Sequence, residues 1–210
     1  MKPKFYLITL FFIASLSSCK KESTFTDFKF SDKPATFACE NLNSKLYNEA
    51  LYSFENDIMD FYGKGQKNLV SPYSQFIRLA VYGRANYRDI VSDHTLKVFE
   101  ALKNDSDLWD LNNPKSHLNY NGALMDCISK NITDKDLKTT LNALLSTNSM
   151  SPSLFGAPLT SKYGLVLSDK YLASYVAFDL FYAKLFDVDF TLPKKEKPKV
   201  DFNRPPANPK

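Results

Sequence analysis

His94 and His117 are the only histidines in the 210-residue chain, so any imidazole chemistry has to use one of them. His94 follows Asp89 and Asp93 closely, and an acid beside an imidazole could move a proton. The same acids answer a helix dipole without doing any chemistry, which is the better account of them. No serine stands in a Gly-x-Ser-x-Gly elbow, and neither Cys39 nor Cys127 has a histidine near it in sequence. Gly63-Lys64-Gly65 lacks the third glycine of a phosphate loop and follows a predicted helix rather than a strand. Asp105, Asp107 and Asp110 resemble part of a calcium loop. Such a loop wants a third ligand at Trp109, a glycine at Asp110 and a bidentate glutamate at Ser116, and all three are wrong. These acids read instead as helix caps around a solvated loop. The sequence therefore assigns no catalytic residue, no metal ligand and no cofactor.

The elements that would position these groups are helices. Tyr47, Leu51, Phe54, Ile58 and Phe61 repeat at helical spacing and predict a helix over about 41–62, ended by Gly63 and Gly65. Ser71-Pro72 predicts the start of a second helix, with Gly83 on its inner face allowing a close helix contact. A third begins at Asp89 or Asp93 and ends near Lys103. Asn113-Pro114 predicts a fourth, running through Leu118, Leu124, Ile128 and Ile132. Thr133 with Asp136 predicts a capping box for a fifth. Residues 147–167 form a long connection that is either functional or holds a short helix after Ser151-Pro152. Ser168 is the expected cap of a last helix over 169–186. That helix is apolar almost all round and must be buried on most sides. Asp179 and Lys184 interrupt it, and it is too short to cross a bilayer.

The fold expected is all-α: one domain, 39–192, built as a bundle of five to seven helices. A minor two-stranded element pairing 25–30 with 188–192 could tie the termini together. Residues 19–38 read as a polar tether, with Phe25, Phe28 and Phe30 able to dock on the body. Residues 193–210 are rich in Pro and Lys and are expected to be disordered. The formal charge of +4 owes two units to Lys2 and Lys4, and the tail 193–210 carries a net +4, so the body between is slightly acidic. A body with no basic excess lacks the footprint of a nucleic-acid binder. The 12 Tyr and 17 Phe fall mostly on helix inner faces and read chiefly as core. The best candidates for contact with a partner are Trp109, in its acidic loop, and Phe155 and Tyr163, in the 147–167 connection.

The N-terminus carries the most specific signal. Lys2 and Lys4 precede an apolar run from Phe5 to Leu16, then Ser17, Ser18 and Cys19. This stretch resembles the bacterial lipoprotein signal and lipobox. The resemblance implies removal of 1–18, acylation of Cys19, and stable membrane attachment through two or more acyl chains. Lys20-Lys21-Glu22 is similar to the charged run after the cysteine in surface lipoproteins of the Bacteroidota. Only one acid is present, so both the periplasmic face of the outer membrane and the cell surface stay open. In such an oxidising compartment Cys39 and Cys127 could form a disulfide, worth roughly 4–5 kcal/mol on the chain-entropy model, or remain two buried thiols.

The functional expectation is a membrane-tethered, non-catalytic module that binds an envelope protein or glycan. The alternatives are an enzyme acting on envelope polymers and a structural or stress-protective lipoprotein without a ligand. A charged cleft holding His94 or His117 would favour the enzyme. A broad exposed patch near Trp109 or 150–166 would favour the binding module.

Overall fold

The computed structural model describes residues 25–192 apart from Asn41. The expected signal peptide, the acylated Cys19, the start of the tether and the basic tail lie outside the described residues.

The fold is all-α. The first helix, α1 (Ser44–Tyr62), begins where the Asn43 side chain accepts the Leu46 N–H and stops at Gly63. After α2 (Val70–Val81) the chain makes a short turn, α3 (Tyr87–Ile90). Ser92 then caps α4 (Asp93–Leu102) by accepting the Thr95 N–H. A long loop leads to α5 (Ala123–Asn131), α6 (Lys135–Ser146), α7 (Pro152–Leu159) and α8 (Tyr163–Ser168). The last element starts as α9 (Lys170–Tyr175), widens into a π-helical stretch (Val176–Tyr182) and closes with α10 (Ala183–Leu185). Counting 170–185 as one rod, nine helices stand among the described residues, more than the five to seven expected. The surplus comes from the 147–167 connection, which holds both α7 and α8, and from the split of the third predicted helix into α3 and α4.

The rod is the centre of the core. No residue from Leu172 to Ala183 is more than 1% exposed. Each large apolar side chain so buried contributes about 1.5–3 kcal/mol. Around it pack α1, α2 and α7 against the π stretch, and α5 against α9. Phe54, Phe76 and Phe181 meet with ring centroids 5.0–5.9 Å apart in tilted and edge-on pairs. Tyrosines packed on the core answer backbone carbonyls: buried Tyr182 donates to Ala50 O at 3.0 Å, and half-buried Tyr87 to Leu180 O at 2.9 Å. Leaving such groups unpaired in the core would cost about 1–3 kcal/mol each.

Several local expectations are corrected by long-range contacts. The two-stranded element is absent among the described residues, where the only pairing is an isolated antiparallel bridge between Trp109 and Leu118. Residues 113–122 are loop, and α5 begins only at Ala123, because Asp107 Oδ2 accepts the Ala123 N–H at 2.8 Å. Thr133 does not cap α6. Its N–H and hydroxyl both donate to Asp169, and Asp134 caps instead. Asp169, not Ser168, caps the rod, accepting the N–H groups of Tyr171 and Leu172. Gly83 lies beyond the end of α2 at φ +66°, where glycine is favoured, and nothing crowds it. The close helix approach is made by Gly156 of α7, where a Cβ would stand 2.6 Å from Val81 Cγ2.

The expected tether is largely a docked strap. Residues 25–38 lie along α1: the Thr36 N–H donates to Asn48 Oδ1 at 2.9 Å, and the Tyr52 hydroxyl to Pro34 O at 2.9 Å. Just past the strap, Cys39 is joined by a disulfide to Cys127 of α5. Residues 20–24 are all that separate the strap from Cys19, a reach of at most about 20 Å.

Candidate functional site

Beside its apolar stripe, α1 carries a second line of side chains at four-residue spacing: Glu49, Ser53 and Asp57. All three are buried, at 2%, 1% and 1% exposure. Polar groups are buried where partners reach them, so the partners define the site. Glu49 is the best supplied. Its Oε1 accepts the Lys29 N–H at 2.8 Å, its Oε2 the Phe30 N–H at 3.0 Å, and His94 Nε2 lies 2.7 Å from Oε1. This contact joins the imidazole to the same carboxylate that holds the two strap amides. Asp57 Oδ2 accepts the Ser92 N–H at 3.0 Å and so anchors the entry to α4. Burial pushes the Asp57 carboxyl above its ordinary range, while hydrogen bonds from Ser92 and Thr95 pull it back.

Ser53 differs from its neighbours. Its Oγ is buried and makes no hydrogen bond within the protein, and the same holds for His94 Nδ1. The carboxylate nearest that nitrogen, Asp27 Oδ2, is 3.6 Å away, beyond hydrogen-bond range, and is drawn aside by Lys97 at 3.2 Å. Ser53 and His94 border one cavity of about 270 Å³ between α1, the start of α4 and the strap. Its floor is Ser53, Asp57, His94 and Thr95. Its rim is Lys29 and Phe30 from the strap, Asn56 from α1, and Ser92 and Asp93.

A second cavity of about 230 Å³ opens between the 111–117 loop and the end of the rod, where Lys184 and Asp187 face His117. His117 Nε2 is 2.9 Å from Asp187 Oδ1. Beneath it the Ser116 hydroxyl donates to Asp179 Oδ1 at 2.5 Å, and the Tyr120 hydroxyl lies 3.2 Å from the same oxygen. Asp179 sits in the π stretch at 0% exposure, and burial pushes its carboxyl up to about 6 against the pull of these hydroxyls. The Tyr175 hydroxyl is near enough to Asp179 to affect it but completes no hydrogen bond. Ser116 Oγ also accepts the Leu118 N–H, so this serine is fully engaged in holding the loop.

The residues singled out from sequence are placed as follows. Phe155 is fully buried, edge-on to Tyr175 at 4.8 Å, and presents no surface to a partner. Trp109 is half-buried. Its Nε1 donates to Leu102 O at 2.8 Å and its ring meets Phe99 and Phe186, so it pins the loop to α4 and the rod. Tyr163 opens α8 and packs partly on the core. The exposed large apolar residue of the 150–166 region is Leu154, which stands alone there. Asp105 accepts the Tyr47 hydroxyl, Asp107 caps α5, and Asp110 accepts the Asn112 N–H. Both histidines border cavities, but each is held by an acid other than its sequence neighbours: Glu49 for His94 and Asp187 for His117. The signal that could have found the first site is the spacing of Glu49, Ser53 and Asp57, which puts three polar side chains on one helix line beside an apolar stripe.

Among the described residues no group of three or more His, Cys, Asp and Glu is placed to hold a metal ion, and no helix is long and apolar enough to cross a membrane. Comparison with known proteins gave no match: no protein family, no curated protein and no solved structure aligns with the chain.

Proposed function

We propose that the chain is a lipid-anchored, non-catalytic binding domain of the bacterial cell envelope. In this reading Cys19 holds it to the outer membrane, on the periplasmic face or the cell surface, and the α1–α4 cavity receives an envelope protein or glycan. The observation that carries the reading is the cavity itself. Its rim is polar and open, and its floor holds a hydroxyl, Ser53 Oγ, that makes no hydrogen bond within the protein and is sealed from solvent. The Cys39–Cys127 disulfide supports an oxidising compartment. A short link from Cys19 to the strap would keep the cavity near the membrane.

Two measurements test it. A photo-crosslinker placed at Asn56 in intact cells should capture one recurrent envelope component, and the Cys19→Ala chain should lose both lipid label and membrane fractionation. A Cys19→Ala chain that stays membrane-bound and lipid-labelled removes the anchor. Captures that are random and unchanged when the probe is moved to the opposite face remove the binding site.

An enzyme acting on envelope polymers is the second reading. It draws on Glu49 holding His94 while Ser53 borders the same cavity, the parts list of an acid–imidazole–hydroxyl relay. The charged cleft with a histidine that would favour it is present. Against it, Ser53 and His94 make no hydrogen bond to each other. Labelling of Ser53 by a fluorophosphonate, lost in Ser53→Ala, would decide for the enzyme.

A further inference from the structure

We propose that the α1–α4 cavity binds a single neutral, polyhydroxylated ring, a sugar unit, with Phe30 as its stacking face. This rests on the binding-domain reading above and names the ligand class. The volume, about 270 Å³, suits one small ring. The Ser92 and Thr95 hydroxyls bond each other at 3.0 Å, which leaves the wall the Asp93 carboxylate and the Asn56 amide, whose Nδ2 is shared with Asp60, on the rim, and Ser53 Oγ and the Asp57 carboxylate below. Planar carboxylates and amides can each engage two adjacent hydroxyls. On the strap side Phe30 adds an apolar face, held in place because its own N–H is bound by Glu49 at 3.0 Å. A ring with hydroxyls on its edge and C–H groups on its face matches that pairing of surfaces.

Other ligand classes fit less well. A phosphate or carboxylate would meet two acids against one ammonium, Lys29. A divalent metal would need a cluster of ligands that the described residues do not offer. An apolar ligand would strand the polar floor. A primary amine is the nearest competitor, since both carboxylates would welcome it, but Lys29 opposes it and Phe30 would add little for so small a group.

Two rim residues come from the strap, and Phe30 is eleven residues from Cys19, so a lipid-anchored chain would hold the cavity within about 40 Å of the bilayer. The sugar could therefore belong to a lipid headgroup or to a soluble glycan, and the test separates these sources.

The full-length acylated protein in detergent is titrated by calorimetry with methyl glucoside, methyl galactoside, N-acetylglucosamine and inositol, and in parallel with ethanolamine and inorganic phosphate. Vesicles with and without a neutral glycolipid form a second arm. The proposal expects at least one sugar to bind in the millimolar range or tighter, and Asn56→Ala to weaken it about threefold to tenfold. Phe30→Ala should weaken it further. Asn56 is exposed on the rim, so its loss should leave the fold intact. Enrichment on glycolipid vesicles without binding of free glycosides would assign the headgroup as the source; binding of free glycosides would assign a soluble glycan. Sugar binding that ignores both substitutions overturns the site. Saturable binding of ethanolamine or phosphate with no sugar binding overturns the ligand class and leaves the binding domain standing. Binding of none of these probes, together with failure of the Asn56 crosslinker to capture a partner, overturns both.

Discussion

Two buried carboxylates, Asp179 in the rod and Asp57 on α1, show how similar burial can serve different ends. Both are at 1% exposure or less, and burial raises both. Asp179 is enclosed by hydroxyls delivered from the 111–122 loop, and these tie that loop to the core. Asp57 also anchors a helix start, but it belongs to a line whose middle member, Ser53, finds no partner, and the line borders an opening. A sealed, well-supplied acid is explained by the fold. Unpaired atoms occur at both places, Ser53 Oγ and His94 Nδ1 on the α1 side and His117 Nδ1 and the Tyr175 hydroxyl on the rod side, but only α1 sets three buried polar side chains in a line along a cavity, and that line marks the α1–α4 region as the place to look for function.

The largest effect that sharpens this contrast is expected at Glu49. Glu49→Ala removes the acceptor of two strap amides and of His94, and should cost about 4 kcal/mol. It should also release the strap, seen as new proteolytic cleavage between 25 and 38. A small loss of stability with an uncut strap would mean that the strap does not depend on this acid.

Asp179→Asn comes next and has a pH signature. The folded carboxyl, at about 6, lies above its ordinary value of 3.8, so the native chain binds this proton more tightly than the unfolded one. Its favourable contribution is complete below pH about 4 and is lost as pH rises through about 6. The parent should therefore fall behind Asp179→Asn across that window by up to about 3 kcal/mol, less the weakening of the Ser116 and Tyr120 hydrogen bonds. Denaturant melts of both chains from pH 4 to 8 measure it. A difference that stays flat with pH would show that Asp179 is not the titrating group.

The smallest effects compare two buried serines. Ser116→Ala leaves Asp179 short of a donor and should cost about 2 kcal/mol. Ser53→Ala deletes a hydroxyl that has no partner in the protein, and should be neutral to within about 0.5 kcal/mol or slightly stabilising. Equal losses in denaturant midpoints would erase the distinction between the sealed site and the open one.

Much of the scaffold is legible in the primary structure, because helical periodicity is a local property. The stripe Tyr47, Leu51, Phe54 and Ile58 marks α1, and the all-round apolar character of 171–186 marks the rod as the buried centre. Ser151-Pro152 marks α7 with its Ser151 cap. The errors share one cause. Asn113-Pro114 has the local signature of a helix start, but the side chains of Ser116 and Asn119 are committed to Asp179 and to the Asp107 carbonyl, 63 and 12 residues away. Thr133 has the signature of a cap, but Asp169 claims it from 36 residues away. Side-chain hydrogen bonds of this kind are as strong as the local ones they replace, and nothing in a local window announces them.

What the amino-acid order determined alone is the helical class and the buried final rod. Tertiary structure decided which acid holds each histidine, that Cys39 and Cys127 are bridged, and that the strap lies on α1 instead of hanging free. It also decided that Ser53 remains unpaired beside an opening. The physical reason is range: apolar spacing is written over a few residues, whereas a site is a meeting of side chains that only packing brings within three ångströms of one another.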